Sequence, residues 1–352
     1  MTDAAEQRKL LAETVERLFR DVVEGLSERD EDAIARGELP APLWQVVEDN
    51  GVASVLVPED AGGFGGGWED AIIVLKAAAY HGVPLPIAET SLAQGLLARS
   101  GIAPPTSPIG IVAREEIDIE PRADGAWRVN GIARAVPWGN AVAHIAVIAR
   151  GRLALVAAGA MEAAQCTHTV AREPVADLHF TDTPALGAGE VVEDAFALCA
   201  LARVAQMAGA LDAALHQSVQ YANERVQFGK PIGKFQAIQH ALALLASEAA
   251  AVNCAALAAC RQADRGDAGF EIAAAKLRAN RAVGSATSIA HQVHGAIGFT
   301  REHKLHRATQ RLWSWRSEYG NDRHWASRLG AMAARAGAEN FWPMLTARSD
   351  GG

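Results

Sequence analysis

The spacing of apolar residues divides the chain into a helical part, a strand-like part and a second helical part. From about residue 5 to residue 104, apolar side chains recur every three or four positions, which is the period of an amphipathic helix. Between residues 105 and 190 the apolar runs are short and partly alternating, which is typical of strands. After residue 190 the helical period returns in long segments with few breakers. The pattern therefore predicts an α–β–α order.

In each helical part, a stripe of apolar residues in the sequence marks the face that is expected to be buried. One stripe in the first part consists of Leu10, Leu11, Val15, Leu18 and Val22. One stripe in the last part consists of Ile238, Leu242, Leu245, Ala249, Val252 and Ala256. Such stripes must pack against other elements. Four or five long helices with short links predict an antiparallel bundle at the C-terminal end.

Turn signals and short runs mark the strands of the middle part. Residues 124–131 alternate and lie between two dipeptides that favour hairpin turns, Asp124-Gly125 and Asn130-Gly131. Three β-like runs follow at 144–150, 153–158 and 178–184. We therefore predict three units: an N-terminal α-helical domain (1–104), a shortened middle β domain (105–190) and a C-terminal helical bundle (191–352).

Composition agrees with a helical protein and excludes some function classes. Half of the residues are apolar and only 6% are aromatic, so small side chains can let helices approach closely. The net charge of −8 argues against a nucleic-acid-binding surface, although a local arginine could still bind a phosphate. Neither a signal peptide nor a run of eighteen apolar residues is found, so no membrane insertion is expected. Four cysteines without CxxC spacing indicate reduced, mostly buried thiols and a cytoplasmic location.

Two conspicuous patterns predict no chemistry. The glycine cluster at 62–67 does not fit GxGxxG, and no Lys-Ser/Thr follows it, so a turn between helices is the better interpretation. His291 and His294, and likewise His303 and His306, are three residues apart. Neither pair has a Glu at zincin spacing or a nearby Cys, so we predict no metal site.

Residues 221–239, YANERVQFGKPIGKFQAIQ, carry groups suited to a phosphate ligand. A helix is expected to end near Phe228-Gly229, and another to begin near Phe235. Arg225 is a permanent cation whose planar fork suits a pyrophosphate. Gln236 stands near a helix start, where free N–H groups favour anions. An ordinary helix connection with a surface arginine explains the same spacing.

Residues 291–300, HQVHGAIGFT, form a second stretch of this kind. Gln292 lies three residues before Gly295, and Gly298 follows. Glycines without a Cβ would let a ligand approach the backbone closely. A helix that simply ends at a glycine is the alternative interpretation.

Together the two stretches resemble the acyl-CoA dehydrogenase family. The family pattern is an R-x-x-F-G turn, an F-Q pair and a Q-x-x-G-G segment, and its residues here are Arg225, Phe228, Gly229, Phe235, Gln236, Gln292 and Gly295. Residues 43–67 are also similar to the family's N-domain segment that leads into its glycine turn. The resemblance covers nearly the whole chain. It implies a mainly α fold with a small central β domain and a C-terminal four-helix bundle.

The resemblance also implies a cofactor, a substrate and partners. In the family these residues hold the adenosine-diphosphate half of an FAD whose isoalloxazine lies mainly in the neighbouring subunit. It therefore implies FAD contacts by Arg225, Phe228, Gln236, Gln292 and Gly295, and a dimer or tetramer with itself or a related subunit. An acyl-CoA thioester would lose its α proton to a carboxylate and its β hydrogen to the flavin. An electron-transfer flavoprotein would accept the electrons.

The sequence departs from the family pattern in three places. Counted from Gln292, the position of the family's catalytic Glu falls at Tyr319, while the carboxylate here is Glu318. The middle-domain segment that lines flavin and substrate is replaced by GIVAREEIDI, beginning at Gly110. The arginine of many members falls at Ala200, and Arg203 lies three residues later.

Two functional hypotheses follow from these departures. In the first, the chain is a catalytic FAD-dependent acyl-CoA dehydrogenase with Glu318 as its base. In the second, it is a non-catalytic partner subunit that contributes the adenosine side of a shared FAD site. The retained Glu318 favours the first hypothesis, and the missing middle-domain segment favours the second. Flavin oxygenases and nitroalkane oxidases share the fold and form a third class.

Overall fold

In the computed structural model, helices occupy both ends of the chain and a sheet lies between them. The structure describes residues 2–123 and 125–349, and side chains from residue 5 to residue 348 within these ranges. The N-terminal helices are α1 (Thr2–Glu24), α2 (Glu28–Ala35), α3 (Ala41–Asp49), α4 (Trp68–His81) and α5 (Ile87–Arg99). The C-terminal helices are α6 (Ala195–Glu224), α7 (Gln236–Arg265), α8 (Gly269–His294), α9 (Leu305–Trp315), α10 (Asp322–Ala336) and α11 (Ala338–Ser349). The predicted α–β–α order is confirmed.

The central sheet is mostly antiparallel. Its strands are β1 (Ile109–Ala113), β2 (Asp118–Pro121), β3 (Trp127–Pro137), β4 (His144–Ala149), β5 (Arg152–Ala157), β6 (Glu162–His168) and β7 (Pro174–Glu190). They are ordered β1-β4-β5-β7-β3-β2, with β6 also paired to β7, and only β1 and β4 are parallel. The long strand β7 pairs with β5 through its last residues and with β3 and β6 through its first. It thus joins the two halves of the sheet.

Two hydrophobic cores result from this arrangement. The larger core is made by both helical parts together, and one face of β1 contributes Ile109 and Ile111 to it. The smaller core lies within the sheet and includes Val112, Val129 and Phe180. Since successive residues of β1 alternate between the two cores, β1 connects them. The predicted domain limits at 104 and 190 stay predictions, because the helical parts share one core.

Helix α6 lies at the centre of the helical core. It contains many alanines, and small residues allow neighbouring helices to approach it closely. At Gly209 an added Cβ would lie 2.1 Å from the backbone oxygen of Lys76 in α4. The close contact between α4 and α6 therefore requires glycine at this position.

Several local predictions need correction. Asn130-Gly131 is not a hairpin turn but lies inside β3, opposite a register shift at which β7 carries one extra residue. β2 and β3 are paired, and Gly125 with φ 83° lies in the connection between them, whereas the predicted turn residue Asp124 lies outside the described residues. The strands β1, β2 and β6 were not predicted: β1 and β2 are short, and β6 is exposed and has no apolar run. Cys199 and Cys260 are buried, whereas Cys166 and Cys254 are exposed.

Helices α6 and α7 are both long and apolar enough to cross a membrane, judged by length and composition alone. The apolar window of α6 is 83% buried within the protein. That of α7 is 22% buried, because its outer side faces solvent in the isolated chain.

We expect Gly209→Ala to destabilise the fold, because the new methyl group would collide with the backbone of α4. Overpacking of this kind costs about 1–3 kcal/mol. The matched control is Gly330→Ala in α10, where an added Cβ meets nothing within 4 Å. This control should stabilise the chain by about 0.4–1 kcal/mol. Urea unfolding of both variants measures the difference, and equal effects would contradict the close contact.

Candidate functional site

The two stretches that resemble a flavin-binding motif meet at one end of the bundle. Because α6, α7 and α8 follow each other in antiparallel order, the end of α6, the start of α7 and the end of α8 lie together. The ring of Tyr221 stacks on the ring of His294, with centroids 4.7 Å apart. Arg225 lies one turn beyond Tyr221, and Gly295 directly follows His294. The fold therefore brings the two predicted halves of the site to the same surface.

A short hairpin projects from this surface. Helix α6 ends at Glu224, four residues before the predicted end, and β8 (Val226–Gln227) pairs with β9 (Lys230–Pro231). Phe228 and Gly229 form the turn with φ 51° and 78°. A positive φ is costly for a bulky residue, and such residues are often found at functional sites. The Phe228 side chain is 92% exposed, so it is free to contact a ligand or another chain.

The polar groups predicted to bind FAD are also exposed. Arg225 forms no ion pair within the part of the chain that the structure describes. Gln236 is the first residue of α7, where backbone N–H groups are free. Gln292 is exposed, and Gly295 adopts φ 63° with open space around an added Cβ. A free cation, helix N–H groups, an amide and an exposed ring fit an adenosine diphosphate moiety.

The segments expected on the substrate side meet elsewhere, near the start of α6. Ile111 of β1, Arg203 of α6 and Tyr319 line one cavity. Its other walls are Ala88, Glu89, Leu92, Cys199 and Ala202. The cavity measures about 10 Å³, room for about one water molecule. The residues around Tyr319 therefore leave little free volume at this point.

Arg203 is the centre of this closed region. Its guanidinium is 2% exposed and donates hydrogen bonds to Glu89 of α5, to Gln206, and to Glu318 at 2.7 Å. Its Cζ lies 5.7 Å from the ring centroids of both Trp315 and Tyr319. The side chain of Glu318 is 15% exposed and points at Arg203. The base candidate is therefore held in an ion pair.

Comparison with known proteins gives matches over most of the chain. The models of the acyl-CoA dehydrogenase N-terminal and C-terminal domains match residues 5–103 and 187–322. The acyl-CoA dehydrogenase IpdE2 of Mycobacterium tuberculosis is 31% identical over 86% of this chain and 89% of its own length. FadE34 from the same organism is 30% identical over 89% of this chain, which spans 44% of FadE34.

The chain belongs to the acyl-CoA dehydrogenase family. Acyl-CoA dehydrogenases are FAD-dependent oxidoreductases, so the predicted family and cofactor class are confirmed.

Solved structures confirm the acyl-CoA dehydrogenase fold. A variant of the Tcur3481–Tcur3483 steroid ACAD has a TM-score of 0.84 at 24% identity, over 94% of this chain and 99% of that one. The ChsE4–ChsE5 complex from Mycobacterium tuberculosis has a TM-score of 0.82 at 22% sequence identity. The match covers 93% of this chain and 98% of that one. Butyryl-CoA dehydrogenase from Megasphaera elsdenii has a TM-score of 0.79 at 19% sequence identity. The match covers 92% of this chain and 97% of that one.

A second buried ion pair lies beside Arg203 in this acyl-CoA dehydrogenase chain. Glu173 accepts hydrogen bonds from Arg311 at 3.1 Å and from the indole of Trp315 at 2.9 Å. Burial raises the pKa of both Glu89 and Glu173, although Arg203 and Arg311 oppose this effect. The closed region thus contains several charges whose positions depend on each other.

Lys276 of α8 holds the segment that carries Glu318 and Tyr319. Its ammonium donates to Asn280 at 2.8 Å and to the backbone oxygen of Trp315 at 2.9 Å. Asn280 in turn donates to the backbone oxygen of Gly320. Burial lowers the pKa of Lys276 from 10.5 to about 7, while Glu318 acts in the opposite direction.

The buried charges were not predicted from the sequence. Glu89, Glu173, Lys276 and Arg311 each stand singly in the sequence, without a motif. A charged residue within a long apolar run, such as Glu89 in PLPIAETSLAQGLL, is a weak signal of burial. The partner that makes such burial tolerable comes from a distant part of the chain. Among the described residues there is no group of three or more potential metal ligands.

Because the pKa of Lys276 is lowered in the folded chain, the free energy of unfolding should depend on pH. Between pH 7 and pH 10.5 the unfolded chain binds one more proton than the folded chain, so the free energy of unfolding should increase with pH. The slope is up to about 1.4 kcal/mol per pH unit. Lys276→Met should lose this contribution, whereas Lys9→Met, at an exposed position, should keep it. Urea unfolding curves across this pH range provide the measurement. A constant difference between Lys276→Met and wild type would contradict the assignment.

Proposed function

We propose that this chain is a partner subunit of an FAD-dependent acyl-CoA dehydrogenase. In this proposal it supplies the adenosine side of the FAD site to a related chain, and it does not dehydrogenate a thioester in its own crevice. The observation that carries the proposal is the contrast between the two regions. The substrate-side segments surround a cavity of about 10 Å³, whereas the groups suited to FAD lie exposed.

The environment of Glu318 supports this proposal. A general base needs a free lone pair that faces the proton it removes. Glu318 instead points at Arg203, whose guanidinium Nε is 2.7 Å away. That carboxylate oxygen already accepts a hydrogen bond from a buried permanent cation. A role of Glu318 as the base would therefore require this contact to open.

The exposed end of the bundle supports the FAD role. Arg225 would pair with the pyrophosphate, the start of α7 would donate N–H groups, and Phe228 would cover an apolar part of the cofactor. Gln236, Gln292 and the open backbone at Gly295 would surround the adenosine side. When bound, FAD accepts the β hydrogen of the acyl thioester as a hydride. The proton-abstracting carboxylate would come from the related chain.

The outer side of α7 supports an assembly with another chain. Its exposed residues repeat every three or four positions and are mostly small: Ala243, Leu244, Ser247, Ala251, Cys254 and Ala258. Small side chains let another helix approach closely. Two of the similar structures carry names that join two proteins, Tcur3481–Tcur3483 and ChsE4–ChsE5. We propose a mixed dimer or tetramer in the cytoplasm, with an electron-transfer flavoprotein as acceptor.

The second candidate function is a homomeric acyl-CoA dehydrogenase that uses Glu318. It is favoured by the position of Glu318, next to the residue where the family places its base. In that case the ion pair with Arg203 would have to open when substrate binds. The two candidates differ in what the isolated chain can do.

An anaerobic single-turnover experiment on the chain purified alone tests the proposed function. We expect no loss of flavin absorbance when octanoyl-CoA or a steroid thioester is added. Flavin reduction should appear only after a related acyl-CoA dehydrogenase chain is added. Reduction by the chain alone would overturn the proposal. Glu318→Gln should then slow that reduction by about 10²–10⁴-fold if Glu318 is the base.

Arg225→Ala should weaken FAD binding in the assembled protein without affecting folding, because Arg225 is exposed. Loss of one charge-assisted contact costs about 1.5–3 kcal/mol, or about ten- to a hundredfold in affinity. The matched control is Arg335→Ala, which removes an exposed arginine at the end of α10. Equilibrium dialysis of FAD with both variants gives the comparison. Equal affinities would show that Arg225 does not contact the cofactor.

A further inference from the structure

Tyr319 is held in a conformation that a tyrosine rarely adopts. Its φ is 50°, and the next residue, Gly320, has φ 100°. The backbone oxygen of Tyr319 accepts a hydrogen bond from the indole of Trp325 at 3.0 Å, and Asn280 donates to Gly320. At Gly320 an added Cβ would come too close to Trp325. The surrounding side chains therefore fix the backbone that directs Tyr319 inwards.

The ring of Tyr319 is fixed as well. It meets the ring of Phe196 edge-on, with centroids 6.2 Å apart, and Arg203 lies over its face. Burial raises the pKa of its hydroxyl well above the usual value. Within the described structure this hydroxyl has no hydrogen-bond partner, and neither does Oε2 of Glu89 on the same cavity. Hydrogen bonding by the phenol therefore does not explain why the ring is placed here.

The walls around the ring are suited to a hydrocarbon. Ala88, Leu92, Ile111, Cys199 and Ala202 surround the cavity, and all are small or aliphatic. Only Glu89 and Arg203 are charged, and they compensate each other. Removal of the phenol ring would leave a space whose lining is largely apolar. Such cavities bind apolar molecules such as benzene.

We infer that Tyr319 is the specificity-determining residue that keeps acyl chains out of this subunit. Its ring fills the crevice between α5, β1 and α6, into which the hydrocarbon part of an acyl thioester would otherwise extend. This inference rests on the proposed function, in which the related chain binds the substrate. The side chain of Tyr319 by itself would then close the crevice.

The test compares Tyr319→Gly with Tyr319→Phe. Glycine removes the ring and also tolerates the positive φ, whereas phenylalanine keeps the ring and removes only the hydroxyl. Octanoyl-CoA should bind Tyr319→Gly at least about tenfold more tightly than wild type, since burial of even two methylene groups provides this factor. Tyr319→Phe should bind no better than wild type. Isothermal titration measures both, and equal binding by all three proteins would overturn the inference.

A second measurement covers the case in which Tyr319→Gly folds poorly. Benzene should raise the Tm of Tyr319→Gly or of Tyr319→Ala, because a ligand that binds only the folded state stabilises it. It should not raise the Tm of wild type or of Tyr319→Phe. If benzene binds an opened variant but octanoyl-CoA does not, the cavity is not an acyl crevice and the inference is wrong.

These outcomes are distinct from those that test the proposed function. Flavin reduction by the wild-type chain alone would contradict the partner role, whatever Tyr319→Gly binds. Failure of Tyr319→Gly to bind octanoyl-CoA would leave the FAD contacts of Arg225 unaffected.

Discussion

The buried guanidinium of Arg203 is the constraint on which the substrate-side half of this molecule depends. A cation that is 2% exposed has lost nearly all its water, so protein groups must compensate its charge. Glu89 comes from α5, Glu318 from the connection after α9, and Gln206 from α6 itself. The N-terminal helices, the central helix and the segment before α10 are thereby joined at one point. These paired charges hold the walls of the crevice in place.

The surroundings of the two ends of α6 therefore differ: one end is buried and the other is exposed to solvent. Near its start, charged groups and the ring of Tyr319 fill the space between α5, β1 and α6. At its end, Arg225 and the hairpin with Phe228 extend into solvent. A complete flavin site needs both a substrate-binding crevice and an adenosine-binding surface. In the proposed partner role, this chain offers the second and leaves the first to the related chain.

The closed region also places Lys276 where its charge affects stability. Lys276 supports the backbone of the segment that carries Glu318 and Tyr319, and its pKa of about 7 places its titration near neutral pH. Its neighbours Glu318 and Asp322 favour the charged form, while Arg203 and Arg316 oppose it. The position of Tyr319 thus depends on charges contributed by three helices, α6, α8 and α10, and by the connection between α9 and α10.

The sequence by itself determined the α–β–α order and the antiparallel bundle, and it predicted which residues would contact a flavin. Apolar period is a local property, and the motif around Arg225 and Phe228 is contiguous, so both can be recognised without coordinates. Only the tertiary structure decided that Glu318 pairs with Arg203, that Tyr319 points into the crevice, and that Asn130-Gly131 lies inside β3 opposite an irregularity of β7. Each depends on a partner far along the chain: Glu89 lies 114 residues from Arg203, and Glu318 lies 115. Burial and ion pairing between such distant residues leave no periodic signal in the sequence.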